Sequence, residues 1–148
     1  MCENDSEGRP ICGVFIGKCN KCTVLIKGKS KNVTISGCND MSVLVDNCVT
    51  TIEIVNCKKV NVQAAEACGT FTVDKSDRCK LYLADGSCKG ELSTLVFTSA
   101  STSSNVYFST ADGEDQVEYA VPERFLTTIK IGKPAETKVD QEIEMQSR

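Results

Sequence analysis

Ten cysteines and no histidine set the chemical possibilities of this 148-residue chain. Cys19 and Cys22 stand in C-x-x-C spacing, half of a tetrahedral zinc site, but no second C-x-x-C and no histidine pair completes it. The lack of histidine also removes the commonest general base. The acids Asp46, Glu53, Asp74 and Glu91 fall at unrelated positions and form no pair of the kind that cleaves glycosidic bonds. The arginines are Arg9, Arg78, Arg124 and Arg148, and Arg78 is the one placed to project from a repeated segment into a partner's nucleotide site. Lys18, Lys21, Lys27, Lys29 and Lys31 fall within fourteen residues that contain no acid. On a chain of net charge −3 and pI about 5.1 they form a local positive cluster, suited to steering an acidic partner. This inventory favours binding over catalysis: no enzyme activity, metal or cofactor is expected. An overall acidic chain is also a poor nucleic-acid binder.

The elements that carry these residues are defined by a nineteen-residue step. One column reads Val24, Val43, Val62, Leu81; two residues on it reads Ile26, Val45, Ala64, Leu83; two residues back it reads Cys22, Met41, Val60, Cys79. A second set reads Val14, Val33, Ile52, Phe71 and Ile16, Ile35, Ile54, Val73, Leu92. Intervening positions are mostly polar, as at Thr23, Ser42, Asn61 and Lys80. Alternation at period two means half-buried strands, and a fixed period near twenty means stacked units. The chain therefore reads as all-β: a parallel β-helix, or solenoid, with coils of about nineteen residues and two strands per coil. KGKSK at 27–31 is a corner between the two strands of one coil. Cys19, Cys38 and Cys57 share a second corner, while Cys48, Cys68 and Cys88 fall near the opposite one, where small soft side chains pack well.

Val106 follows Leu81 by twenty-five residues, so about six residues are added, and the Ser/Thr-rich run 98–104 is the expected surface loop. Beyond it, 126–131 and 138–145 alternate strictly around a turn at 132–136, the pattern of a β-hairpin. Such a hairpin can cover the last open edge of the array, in its own chain or in a second copy. Its apolar faces carry Ile129 and Ile131 on one strand and Val139, Ile143 and Met145 on the other, the expected dimer contacts. The expected layout is a flexible segment 1–11, the β-helix 12–125 and the hairpin with its tail 126–148. The polar N-terminus lacks the apolar core of a signal peptide, and no apolar run approaches the roughly 20 residues of a membrane span. Cytoplasmic residence with reduced thiols is expected.

The pieces NKCTVLIKGK (20–29), VDNCV (45–49), IEIVNCKKVNVQ (52–63), DKSDRCKLYL (74–83) and VPERF (121–125), in this order and followed by the hairpin, resemble the C-terminal β-sheet domain of cyclase-associated proteins. The resemblance runs from about residue 12 to 145. It implies a right-handed β-helix that dimerises through a swapped C-terminal hairpin. It also implies binding to monomeric actin, exchange of actin's ADP for ATP, and association with the cytoskeleton. Longer members add an N-terminal helical domain, proline-rich segments and a WASP-homology motif, so this chain is expected to be a short form with the β-domain alone. The alternative is a regulator similar to tubulin-folding cofactor C, acting on tubulin or a small GTPase through Arg78. For actin, the expected contact is a basic corner of Lys27, Lys29 and Lys31 beside Leu25 and Leu44, which the nineteen-residue step places side by side and facing outward.

Overall fold

In the computed structural model, residues 3–4, 7–8, 10–66, 68–83, 94–109, 115–123 and 125–139 are described. They form strands and turns with no helix. β1 (Glu3–Asn4) and β2 (Pro10–Ile11) make a short antiparallel pair. The array follows with β3 (Val14–Gly17), β4 (Thr23–Ser30), β5 (Val33–Ser36) and the long β6 (Asn39–Val55). It continues through β7 (Lys58–Ala64), β8 (Cys68–Asp74), β9 (Lys80–Tyr82), β10 (Leu95–Ser99) and β11 (Asn105–Ser109). β12 (Gln116–Ala120) then turns back, and β13 (Phe125–Thr128) and β14 (Glu136–Val139) form a hairpin.

The expected β-solenoid is what forms. One wall stacks β4, the first half of β6, β7, β9 and β11, and the other stacks β3, β5, the second half of β6, β8 and β10, all parallel. Register is set by the apolar columns: Val24 pairs with Val43, Val43 with Val62, Val62 with Leu81, and Leu81 with Val106. Across the core, Val14, Val33, Ile52, Phe71 and Val96 form the facing column. Interior members are sealed; Val33, Ile52, Val62 and Phe71 are each 0% exposed. Val24 and Ile26 on the first rung are only half-buried, since no earlier rung of that wall covers them among the described residues.

The step lengthens earlier than the sequence pattern indicates. Val73 pairs with Thr98, not with Leu92, which lies outside the described residues. Thr102 bridges Asp77, so the Ser/Thr run is a rung of the array and the added residues precede Thr94. The last rung of the first wall is covered by β12, which runs antiparallel on β11 and which the sequence pattern does not single out. β10, the last rung of the second wall, has no strand beyond it among the described residues. The hairpin is present, but its strands are shorter than expected and pair only with each other among those residues. Ile129 and Ile131 follow β13 in the connection instead of lying within it, while Ile143 and Met145 lie outside the described residues.

The 27–31 corner turns on Gly28. Its φ of +82° lies in the left-handed region, and the β4–β6 register shifts between Ile26 and Lys29. The Gly28 N–H donates to Asp46 Oδ2 at 2.9 Å, so a carboxylate on the next rung holds the bulge. An added Cβ would meet nothing within 4 Å, which leaves backbone conformation as the whole cost of a substitution.

Two stability predictions test this layout by urea denaturation. Phe71→Ala, at the largest fully buried side chain, should cost about 3–5 kcal/mol, while Thr72→Ala, on the outward side of the same strand, should stay within about 0.5 kcal/mol. Gly28→Ala should cost about 1 kcal/mol, and Gly28→Asn should recover part of it because Asn tolerates positive φ. An unperturbed Gly28→Ala protein would mean that the corner is not built on this conformation.

Candidate functional site

The outward positions of the first wall stack as regularly as the inward ones. Leu25 pairs with Leu44, Leu44 with Gln63, Gln63 with Tyr82, and Tyr82 with Tyr107. Leu25 is 52% exposed and Leu44 half-buried, so the expected side-by-side apolar pair is present and faces outward. The Tyr82 and Tyr107 rings stack with centroids 4.6 Å apart and planes at 12°. Tyr107 donates its hydroxyl hydrogen to Glu118 Oε1 at 2.8 Å, which fixes the far end of the stripe. A shallow concavity of about 250 Å³ lies along it, lined by Thr23, Ser42, Val43, Leu44, Asn61, Gln63 and Tyr82. The face therefore runs from aliphatic to amide to aromatic across five rungs.

Among the described residues, its flanking corner is basic only on the first rung. Lys27 and Lys29 are exposed on either side of the Gly28 bulge. Lys31 is half-buried beyond the corner, where its N–H donates to the Cys12 carbonyl (2.9 Å) and its carbonyl accepts from Thr50 N–H (3.0 Å) and Thr50 Oγ1 (2.7 Å). The rungs above carry acids: Asp46 receives Gly28, and Glu66 Oε2 accepts from Asn47 Nδ2 at 2.7 Å. The structure thus places exposed Lys27 and Lys29 on the strand that carries Leu25, beside Leu44, while Lys31 follows that strand half-buried.

The opposite corner is a stronger basic feature, and the sequence reading does not identify it. Lys18, Gly37, Asn56, Lys75 and Ala100 form one column there, and Lys21, Asp40, Lys59, Arg78 and Ser103 another; all ten residues have positive φ. A left-handed backbone costs a non-glycine residue roughly 1–2 kcal/mol. Rung-to-rung hydrogen bonds oppose that cost in the first column: Lys18 N–H donates to Ser36 O (2.9 Å), Gly37 to Val55 O (3.0 Å), Asn56 to Asp74 O (3.0 Å) and Lys75 to Ser99 O (2.9 Å). Lys18, Lys21, Lys59, Lys75 and Arg78 are exposed, with Lys58 between them. The nineteen-residue step contained the signal, had it been applied to the charged positions as well as the apolar ones.

Between these columns stand Cys19, Cys38, Cys57, Ser76 and Ser101. Each donates to the carbonyl two residues earlier: Gly17 (3.3 Å), Ser36 (3.4 Å), Val55 (3.2 Å), Asp74 (2.8 Å) and Ser99 (2.8 Å) respectively. Cys22 does the same to Asn20 at 3.1 Å, which gives the C-x-x-C spacing a structural cause. Among the described residues no group of three or more His, Cys, Asp or Glu side chains could hold a metal ion. Burial pushes the Cys57 thiol up and the Cys79 thiol up to about 11, the state of inert packing thiols. Seven described cysteines are free; Cys12 is disulfide-bonded, contrary to the expectation of reduced thiols throughout. Arg78 Nε lies 3.4 Å from Asp77 Oδ2, and Asp77 Oδ1 accepts from Thr102 Oγ1 at 2.6 Å. Arg78 is otherwise exposed, so this surface pair restrains it only weakly.

A family model described as "Adenylate cyclase associated (CAP) C terminal" matches residues 10–141. The adenylyl cyclase-associated protein of Dictyostelium discoideum is 34% identical over 121 residues, covering 81% of this chain and 25% of that protein. Cyclase-associated protein 1 of Arabidopsis thaliana is 36% identical over 128 residues, covering 85% of this chain and 26% of that protein. Human adenylyl cyclase-associated protein 1 is 34% identical over 113 residues, with coverages of 76% and 23%. The crystal structure of cyclase-associated protein from Cryptosporidium parvum superposes with a TM-score of 0.70 at 21% identity, over 95% of this chain and 94% of that one. The chain spans about a quarter of the length of the curated relatives it matches. The family match runs through every coil described above, and the chain belongs to the family of adenylate cyclase-associated (CAP) C-terminal domains.

Proposed function

We propose that this chain binds monomeric actin through the outward face of the first wall and promotes replacement of actin's ADP by ATP. The observation that carries the reading is the exposed Leu25–Leu44 pair standing in register beside Lys27 and Lys29, an apolar anchor with a cationic rim. An interface of this kind takes its affinity from the desolvated apolar contact and its on-rate from the charges. The exchange activity and the cytoplasmic, cytoskeletal location come from the family resemblance.

Exchange needs no catalytic side chain here. A protein that binds the open nucleotide cleft better than the closed one shifts their populations by that difference, and a factor of ten requires about 1.4 kcal/mol. Five parallel rungs make a rigid face, so little binding energy is lost in ordering it.

The same reading includes a homodimer formed by the C-terminal hairpin. Among the described residues β10 pairs on one side only, and Leu95 and Phe97 on it are 52% and 58% exposed. A cavity of about 430 Å³ lined by Leu83, Val96, Val106, Phe108, Tyr119 and Val121 opens at this end of the array. The hairpin has Ile129 largely exposed, Ile131 fully exposed and Val139 half-buried. Pairing it with the last rung of a second copy would cover both surfaces.

Two measurements test these parts separately. Replacing Lys27, Lys29 and Lys31 by Ala together should weaken actin-monomer binding about tenfold at low salt and much less at high salt. Leu25→Asp should weaken it at any salt and slow release of a fluorescent nucleotide from ADP-actin. Unchanged affinity in both variants would remove this face from the mechanism. Light scattering should give a dimer for the whole chain and a monomer after removal of residues 125–148; a monomer in both cases would end the hairpin reading and leave the actin face untouched.

A further inference from the structure

All nine non-glycine residues with positive φ among those described lie in the two columns of the Cys/Ser corner, and five of the nine are Lys18, Lys21, Lys59, Lys75 and Arg78. Asn, the non-glycine residue that best tolerates this backbone, occurs once. Placing lysine and arginine where the backbone disfavours a long side chain points to a use for the charge, since strain of this kind persists where something else depends on it. The positions are exposed and rigidly spaced by the rungs, in a chain whose net charge is −3.

We infer that this corner is a second interaction surface, a ridge that docks an extended acidic segment of a partner protein. Rungs are about 4.8 Å apart, so the cations of rungs one, three and four extend over roughly 15 Å. An extended strand presents alternate side chains about 6.8 Å apart on one face, so about three side chains of an acidic segment span the ridge. Two features select this partner over a uniform polyanion. Rung two carries Gly37 and the exposed Asp40 in place of cations, so the positive charge comes in two blocks. Asp77 pairs with Arg78 and accepts from Thr102, which offsets one charge of the upper block and leaves Lys59 and Lys75, reinforced by Lys58. A bilayer or a nucleic-acid backbone would press its charge on Asp40 as strongly as on its neighbours; a protein segment can present a neutral or basic residue there. The ridge shares no residue with the proposed actin face, so the two stand or fall independently.

The test uses a fluorescent twelve-residue peptide of two alternating Glu/Thr blocks around a central Lys, with binding followed by anisotropy at low salt. The ridge variant replaces Lys18, Lys21, Lys59, Lys75 and Arg78 by Asn, which suits the same backbone and should leave the melting temperature equal or higher. Peptide affinity should fall at least tenfold in this variant and stay unchanged when Lys27 and Lys29 are replaced by Ala. The smaller pair Lys75→Asn and Arg78→Asn should lose about threefold, which serves if the fivefold variant folds poorly. Phosphatidylserine vesicles should bind no better than neutral ones. Equal affinity in parent and ridge variant, equal losses in ridge and Lys27/Lys29 variants, or ridge-dependent binding to vesicles but not to peptide would each overturn the proposal.

Discussion

In a parallel solenoid the backbone hydrogen bonds of one rung are made by the next, so the register between rungs is the constraint on which every other feature depends. A slip of one residue would turn Val24, Val43, Val62 and Leu81 outward and bring Leu25, Leu44, Gln63 and Tyr82 into the core. The amide of Gln63 would then be buried without a partner, at a cost comparable to a lost hydrogen bond. The apolar columns therefore specify the pairing, and the pairing fixes the outward face with the same precision. Function can vary on that face without disturbing the fold because inward and outward columns are separate sets of residues.

Corners are where the constraint is most demanding. Each coil must reverse direction in a few residues while still offering its N–H groups to the next rung. At the Cys/Ser corner this is solved by two left-handed residues flanking a small side chain that donates to the carbonyl two residues back. Cysteine and serine are interchangeable there, as Cys57, Ser76 and Ser101 show on successive rungs, because both are small and both can donate. The opposite corner uses a different device: Ser30, Cys48 and Cys68 stack in one column, and Gly28 with Asp46 forms a bulge on the first rung. The high cysteine count is thus largely a consequence of corner packing, and burial pushes the Cys57 and Cys79 thiols up, whereas the hydrogen bond from Cys48 lowers Cys68 to about 7.

This explains which parts of the structure were legible in the sequence. The inward columns were, because burial enforces apolar residues at a fixed step and nothing else produces that pattern. The placement of Leu25 beside Leu44 followed from the same register. The run 98–104 was misread as a loop because composition alone does not distinguish a Ser-rich loop from a corner that uses Ser in place of Cys; Ser101 bonds Ser99 O as Cys57 bonds Val55 O, and Ser104 is buried as Cys79 is. β12 escaped notice because it is antiparallel and belongs to no nineteen-residue column. The basic ridge was hidden for another reason: its cations are far apart in sequence and adjacent only across rungs, whereas Lys27, Lys29 and Lys31 are close in sequence and Lys31 is half-buried.

The two ends of the array are then the places where its internal logic stops. Interior rungs satisfy one another; a terminal rung has donors and acceptors on one side with nothing to meet them. The first wall resolves this with β12, whose Val117 and Tyr119 pair with Phe108 and Val106. The second wall does not resolve it among the described residues, and the exposed side chains of Leu95 and Phe97 sit on that open edge. A hairpin of two short strands is barely stable in water by itself, so β13 and β14 gain from docking as much as β10 gains from being covered. Two unsatisfied elements of one chain that do not pair with each other among the described residues are the arrangement from which exchange between copies arises, and a symmetric exchange would present the first-wall face twice.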